Sequence, residues 1–226
     1  MPDINQHVRL NKSMLRPIEK SALSWLAPRM PAWVTPDGMT AIGFLGAVVI
    51  FAGYCLTGIN RDYLWLASLG FLINWFGDSL DGTLARYRKI ERPRYGFFID
   101  HSIDAIETVL VFCGLGLSPY VDFNIAVMAL VGYLLCSLLS NLLLNVYGVF
   151  QITFASIGPT EFRATAILFN TVMFIIGNPL LRLPFGSISL YNFTMIAIAI
   201  LLFSFYIILV IKEGRNLDRM DQPNNN

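Results

Sequence analysis

The chain has 226 residues, 55% of them hydrophobic, and a mean hydropathy of +0.59. This composition is too apolar for an ordinary soluble domain and predicts a membrane protein. The formal net charge of +1 says little about partners, and we expect no nucleic-acid partner.

The N-terminal segment, residues 1–37, is polar and charged. Residues 14–27 predict an amphipathic helix, because Leu15, Ile18 and Trp25 fall on one side and polar residues on the other. Tryptophan and basic residues beside an apolar stripe suit the membrane interface, and a soluble helix packed on cytoplasmic loops is the alternative. Because this polar segment precedes the first apolar span, no cleavable signal peptide is expected.

Six apolar segments follow, each near the ~20 residues that cross the hydrocarbon core of a bilayer. Their approximate bounds are 38–57, 63–82, 97–117, 123–148, 162–181 and 189–211. We therefore expect an all-α integral membrane protein, in which residues 38–213 form one catalytic domain of six transmembrane helices. The polar residues 214–226 are expected to form a flexible cytoplasmic tail.

Basic residues are concentrated on one side of these spans. They are Arg9, Lys12, Arg16, Lys20, Arg29, Arg86, Arg88, Lys89, Arg92, Arg94, Arg163, Lys212, Arg215 and Arg219. The opposite side has only Arg61 and Arg182. The positive-inside rule therefore predicts that both termini and the loop of residues 83–96 are cytoplasmic.

Four aspartates lie at the cytoplasmic ends of two spans, in Asp78-Ser-Leu-Asp81 and in Asp100-His-Ser-Ile-Asp104. Helical steps of three and four residues return to nearly the same face, so each pair shares one face of its helix. Carboxylates inside apolar spans are energetically expensive and indicate a functional site. Hard divalent cations prefer oxygen ligands, so two facing pairs of carboxylates could hold two metal ions.

Small residues lie on or beside the acidic face, namely Gly82, Ala85 and Gly96. They would let a flat ring or a diphosphate approach the backbone closely, and close helix packing is the structural alternative. Arg86 could pair with a phosphate, neutralise an aspartate or simply mark the cytoplasmic side. The residues by themselves leave these interpretations open.

These residues carry a resemblance to a known family. The motif Asp78-x-x-Asp81-Gly82-x-x-Ala85-Arg86…Gly96-x-x-x-Asp100-x-x-x-Asp104 resembles the signature of the CDP-alcohol phosphotransferases. One difference is that nine residues separate Arg86 from Gly96, one more than in the family pattern.

The resemblance implies an enzyme of phospholipid biosynthesis that transfers a phosphoalcohol group from a CDP-alcohol donor to an acceptor alcohol and releases CMP. One of the two substrates is then a lipid. It also implies Mg²⁺ or Mn²⁺, with two ions at a cytoplasmic active site, and commonly a homodimer. By this resemblance Asp78, Asp81 and Asp100 are metal ligands, and Asp104 is both a ligand and the candidate catalytic base. The implied nucleotide- or diphosphate-binding residues are Gly82, Ala85, Arg86 and Gly96.

Three further residues are candidates for contacting a headgroup or supporting the site. Glu107 continues the helical face of Asp100 and Asp104, and a partner for a basic group is its alternative role. Glu161 and Arg163 lie at the cytoplasmic start of the fifth span. The alternative for them is a helix cap with an ordinary flanking charge.

Two other classes of membrane protein use intramembrane carboxylates. A prenyltransferase also binds a diphosphate through aspartates and Mg²⁺, but more spans and a different aspartate spacing would be expected. A cation transporter would need acidic residues across the membrane, whereas all four aspartates here lie near one interface. The aspartate pattern therefore favours the phosphotransferase.

Overall fold

Seven α-helices make up most of the computed structural model, which describes residues 15–147, 158–184 and 186–221. The helices are α1 Arg16–Leu26, α2 Pro36–Leu56, α3 Tyr63–Arg88, α4 Pro93–Leu117, α5 Phe123–Tyr147, α6 Pro159–Ile176 and α7 Leu190–Asp221. A short 3-10 turn, Ala27–Arg29, follows α1. An antiparallel hairpin, β1 Leu180–Leu183 and β2 Gly186–Ser189, joins α6 to α7.

Three helices in the described part of the chain are long and apolar enough to cross a membrane, namely α2, α5 and α7. The other long helices, α3, α4 and α6, contain the charged residues of the predicted site. The six long helices correspond to the six predicted apolar segments. That all six of them cross the membrane stays a prediction.

The first long helix begins where a helix-start signal stands in the sequence. The Thr35 side chain accepts a hydrogen bond from the Gly38 N–H at 3.0 Å, and Pro36 occupies the first helical position. α2 then packs tightly against α3. A Cβ added to Gly77 of α3 would lie 2.2 Å from the backbone nitrogen of Gly43, so the two backbones approach too closely for larger residues.

A buried polar chain joins three helices in the core. The Tyr54 hydroxyl of α2 donates to Asn170 Oδ1 of α6 at 2.9 Å, and the Asn170 amide donates to Ser68 Oγ of α3 at 3.1 Å. Apolar side chains surround it, among them Phe71 and Met173. Because buried polar groups need partners, this chain fixes α2, α3 and α6 in one arrangement.

The helix at the N-terminus lies where residues 14–27 predicted one, and residues 1–14 are outside the described part. α1 buries Leu23 in a cluster with Leu80 and Leu84 of α3. Its residues Ile18 and Trp25 stay exposed. One part of the apolar surface of α1 therefore packs on the helix that carries Asp78 and Asp81, and another part remains uncovered.

Several predicted boundaries differ from the structure. The second span was expected to end near residue 82, but α3 continues to Arg88, whose guanidinium donates to the Met30 and Pro31 carbonyls at 3.1 and 2.8 Å. The fifth span was expected to reach residue 181, but α6 ends at Ile176, before Gly177 with a φ of +75°. The strands of the hairpin follow a few residues later. Apolar content alone did not predict them, because it does not distinguish a strand from a helix end.

Residues 214–221, which the sequence placed in a flexible tail, are helical and continue α7. The Glu213 carboxylate accepts hydrogen bonds from the Tyr147 hydroxyl of α5 and the Asn216 amide, both at 3.1 Å. The Tyr147 contact ties the polar end of α7 to α5, and the Asn216 contact lies within α7. Residues 222–226 lie outside the described residues.

Candidate active site

Asp78 and Asp81 lie one turn apart on α3, near the end that leads into the loop to α4. The Asp81 side chain is buried. Its Oδ2 accepts a hydrogen bond from Thr40 Oγ1 of α2 at 2.6 Å, and its Oδ1 contacts the backbone N–H of Gly82. Two donors therefore fix the orientation of the Asp81 carboxylate.

Arg163 reaches Asp78 from the first turns of α6. Its Nη2 lies 2.7 Å from Asp78 Oδ2, and its Nε donates to Asn74 Oδ1 at 2.7 Å. The Arg163 side chain is only 9% exposed, so water screens this ion pair weakly. The buried Nη1 has no hydrogen-bond partner among the described residues. The structure thus brings the predicted Arg163 and Asp78 together.

The carboxylates of α4 share an electrostatic environment with those of α3. Asp81 is repelled by Asp78 and Asp100, and Asp104 is repelled by Asp78 and Asp100. Arg163 offsets part of the charge around Asp104. The four predicted aspartates, named the acidic cluster, therefore lie within electrostatic range of one another, near the end of α3 and the start of α4.

Glu107 is buried one turn beyond Asp104 on α4. It shares a side-chain hydrogen bond with Asn74 and interacts electrostatically with Arg163 and Asp78. A buried carboxylate needs such partners. Glu107 is consequently connected to the Arg163–Asp78 pair through Asn74, which also accepts from Arg163 Nε.

The acidic cluster has the donor chemistry of a divalent-cation site. Its side chains offer only oxygen ligands, which Mg²⁺ and Mn²⁺ prefer, and a cation would relieve their mutual repulsion. Within the described residues, no three His, Cys, Asp or Glu side chains are drawn together as a formed metal site. In this arrangement the Arg163 guanidinium neutralises Asp78 instead. The oxygen donors of the cluster thus suit a divalent cation by their chemistry, whereas no three described carboxylates converge on one position.

The two motif glycines differ from the packing glycines of α2 and α3. A Cβ added to Gly82 would meet Arg86 Nη1 at 3.4 Å, and one added to Gly96 would meet no described atom within 4 Å. Ala85, between Gly82 and Arg86 along the chain, is half-buried. Arg86 is exposed and donates from Nη2 to Thr83 Oγ1 at 3.1 Å. Within the described residues, neither Gly82 nor Gly96 lies against the backbone of another helix.

Glu161 has the structural role that was its alternative. Its Oε2 accepts from the backbone N–H of Gly158 at 2.9 Å, where α6 starts. Its Oε1 accepts from the backbone N–H of Leu15 at 2.8 Å, where α1 starts. A carboxylate at the first turn of a helix is also stabilised by the helix dipole. Glu161 therefore caps α6 and ties α1 to it.

Thr40 and Asn74 belong to the site but were missed in the sequence. Asn74 precedes Asp78 by four residues and so lies on the same face of α3, a signal that could have found it. Besides accepting from Arg163, it donates to the Gly43 carbonyl at 3.0 Å. Thr40 had no such signal, because its contact with Asp81 depends on how α2 packs on α3.

The protein is mainly α-helical, and a buried arginine lies beside carboxylates at the ends of neighbouring helices. The sequence profile of the CDP-alcohol phosphatidyltransferase family matches residues 33–211. The chain therefore belongs to this family and is an integral membrane protein.

Curated relatives agree with the family. The chain is 32% identical to cholinephosphotransferase 1 of Danio rerio over 120 residues, which cover 48% of this chain and 31% of that protein. It is 31% identical to cholinephosphotransferase 1 of Homo sapiens over 108 residues, which cover 45% and 26%. It is 36% identical to phosphatidylinositol phosphate synthase of Cutibacterium acnes over 87 residues, which cover 38% and 39%. These matches span less than half the length of each relative.

Proposed function

We propose that this protein is a phosphotransferase of phospholipid biosynthesis that moves a phosphoalcohol group from a CDP-alcohol to an acceptor alcohol and releases CMP. The observation that carries the proposal is the acidic cluster of Asp78, Asp81, Asp100 and Asp104 beside the buried Arg163, within a chain of this family. Family membership favours this reaction over the prenyltransferase and the cation transporter.

The four aspartates would hold Mg²⁺ or Mn²⁺, with two ions expected from the resemblance. When bound, these ions supply positive charge for the diphosphate oxygens during an in-line displacement. Thr40 holds Asp81 in place, and Arg163 does the same for Asp78. The Thr40 contact reduces the reorganisation that a ligand-binding carboxylate would need, whereas Arg163 offsets part of the negative charge of Asp78.

The chain's own residues would divide the remaining tasks. Gly82, Ala85 and Gly96 leave room for the nucleotide and diphosphate to approach the helices, and the exposed Arg86 can contact a phosphate. The buried Arg163 guanidinium beside Asp78 would supply positive charge near the bound diphosphate.

Asp104 is the proposed base. It takes the proton of the acceptor hydroxyl, and the hydroxyl oxygen bonds to the phosphorus of the phosphoalcohol group. The phosphorus–oxygen bond to CMP breaks, and CMP leaves with the electron pair. Asp104 is exposed in this structure, so an acceptor can reach it.

The placement in the membrane is part of the proposal. Six helices, α2 to α7, would cross the bilayer, with both termini and the active site on the cytoplasmic side and two copies forming a homodimer. α1 would lie at the interface, since Ile18 and Trp25 are 70% and 57% exposed. The Arg29 guanidinium stacks 4.0 Å from the Trp25 ring centre. This combination of basic and aromatic groups suits lipid headgroups.

The test is CMP release by the purified protein in lipid nanodiscs. The donors are CDP-choline, CDP-ethanolamine and CDP-diacylglycerol, with diacylglycerol or soluble polyols and their phosphates as acceptors. This range covers the reactions that the names of the relatives indicate. We expect CMP release from at least one pair, its loss in excess chelator and its return with Mg²⁺ or Mn²⁺. Full activity in excess chelator, or no CMP from any pair, would contradict the proposal.

A further inference from the structure

One carboxylate oxygen outside the acidic cluster connects three helices. Oε1 of Glu19, on α1, accepts hydrogen bonds from Ser79 Oγ at 2.7 Å, Thr160 Oγ1 at 2.8 Å and Trp75 Nε1 at 3.2 Å. Ser79 and Trp75 belong to α3, and Thr160 belongs to the first turn of α6. Glu19 is therefore a common acceptor for side chains of two helices that also meet at the proposed active site.

These contacts are adjacent in the chain to the Arg163–Asp78 pair. Ser79 directly follows Asp78, and Thr160 precedes Arg163 by three residues, about one helical turn. By holding Ser79 and Thr160 at a fixed distance, Glu19 consequently also restrains the distance between Asp78 and Arg163.

α1 itself is held firmly enough to impose this distance. Leu23, one turn after Glu19, is buried against Leu80 and Leu84 of α3. The backbone N–H of Leu15, one turn before Glu19, donates to the Glu161 carboxylate of α6. The helix is thus fastened to α3 on one side of Glu19 and to α6 on the other.

We propose that Glu19 is a positioning residue, which fixes the spacing of α3 and α6 and thereby holds Arg163 against Asp78. One Glu19 oxygen accepts hydrogen bonds from side chains of both helices, so a single acceptor restrains three donors. Glu19 needs no contact with substrate for this role. Only the expected effect on kcat rests on the proposed phosphotransferase function.

Three substitutions separate positioning from general stability. Glu19→Ala removes the acceptor, and Glu19→Gln keeps an oxygen acceptor in the same place without the charge. Ser21→Ala is the matched control, because Ser21 is an exposed residue of the same helix. A Ser79→Ala/Thr160→Val double variant removes two of the donors while leaving Glu19, and it covers the case in which Glu19→Ala fails to fold.

Two measurements are made on each variant in nanodiscs. The first is the distance between spin labels on Leu72→Cys of α3 and Phe162→Cys of α6, both exposed positions. The background has Cys55, Cys113 and Cys136 replaced by alanine. The second is kcat and KM for CMP release without labels. The label distance is read without substrate, so it remains interpretable even if no CDP-alcohol is turned over.

We expect Glu19→Ala and the double variant to lengthen or broaden the label distance and to lower kcat about tenfold to a hundredfold, since misplacement by about 1 Å has that effect. Glu19→Gln should keep the wild-type distance and most of kcat. Label distances and kcat for Glu19→Ala equal to those of Ser21→Ala would overturn the inference, and so would a Gln variant as impaired as the Ala variant. A wild-type protein that releases no CMP while its label distance still responds to Glu19→Ala would overturn the proposed reaction alone.

Discussion

The guanidinium of Arg163 lies 2.7 Å from the carboxylate of Asp78, across the contact between α6 and α3. Asp78 is the first aspartate of the motif, and the resemblance assigns it to a metal. The buried guanidinium of Arg163 therefore supplies positive charge beside Asp78, and it would share the Asp78 carboxylate with any bound metal ion. Removing the charge of Arg163 should therefore change both cation binding and turnover.

Arg163→Gln should raise the affinity for divalent cations and lower the rate of CMP release. Glutamine can still bond to Asn74 but carries no charge, so the carboxylates attract a cation more strongly. Attraction between two unit charges about 4 Å apart is worth about 1 to 4 kcal/mol, so losing the Arg163 charge should tighten cation binding roughly tenfold or more. Mn²⁺ titration followed by electron paramagnetic resonance measures the binding, and the CMP assay measures the rate.

Arg182→Gln is the matched control, because Arg182 is an exposed arginine of β1. It should leave both Mn²⁺ affinity and turnover unchanged. An Arg163→Gln protein with wild-type Mn²⁺ affinity would show that Arg163 does not share Asp78 with the ion.

Two glycine substitutions should separate packing from ligand approach. Gly77→Ala places a Cβ 2.2 Å from the Gly43 backbone, so the helices must separate, and we expect a clearly lower unfolding temperature. Gly96→Ala meets no described atom within 4 Å, so its unfolding temperature should match wild type while its KM for the CDP-alcohol rises. Thermal unfolding in detergent and donor-dependent CMP release provide the comparison. A stable Gly96→Ala enzyme with unchanged KM would remove Gly96 from the donor site.

The sequence predicted the acidic face because that face depends only on helical periodicity. Asp78 and Asp81 are three residues apart and Asp100 and Asp104 four, so their common orientation needed no knowledge of packing. The contact of Arg163 with Asp78 joins residues 85 positions apart. This contact depends on how α6 packs against α3, and the contact of Thr40 with Asp81 depends on how α2 packs against α3.

The boundaries were predicted less well for a physical reason. Residues 177–181 contain Leu180 and Leu181, and this apolar content sufficed to extend the predicted fifth span to residue 181. The structure forms a hairpin there, with Leu180 opposite Ser189 and Arg182 opposite Ser187. Polar residues after Lys212 predicted a tail, but α7 continues to Asp221, and Glu213 accepts a hydrogen bond from Tyr147 of α5. Local composition does not contain these tertiary contacts.

The membrane topology can be tested by cysteine labelling. Single cysteines near Lys89, between α3 and α4, and at Arg215 should react with a membrane-impermeant reagent from the cytoplasmic side, because basic residues concentrate there. A cysteine at Arg61 should react only from the opposite side. Lys89 and Arg215 on opposite sides would exclude an even number of crossings between them and contradict the six-span arrangement.

The last prediction separates the catalytic base from the metal ligands. Asp104→Asn keeps the shape and one ligating oxygen but loses the ability to accept the hydroxyl proton. Donor and metal binding should survive, while turnover falls by roughly two to four orders of magnitude. Asp78→Asn should weaken metal and donor binding together with turnover, because the diphosphate is expected to be held through the ions.

Calorimetric titration of the two purified variants with the CDP-alcohol, with and without Mg²⁺, is the deciding measurement. Asp104 is exposed at the site, whereas Asp78 is already paired with Arg163, so the two substitutions disturb different contacts. If Asp104→Asn loses donor binding as completely as Asp78→Asn, Asp104 acts mainly as a metal ligand. The base must then be another residue, and Glu107, buried one turn further along α4, is the next to substitute.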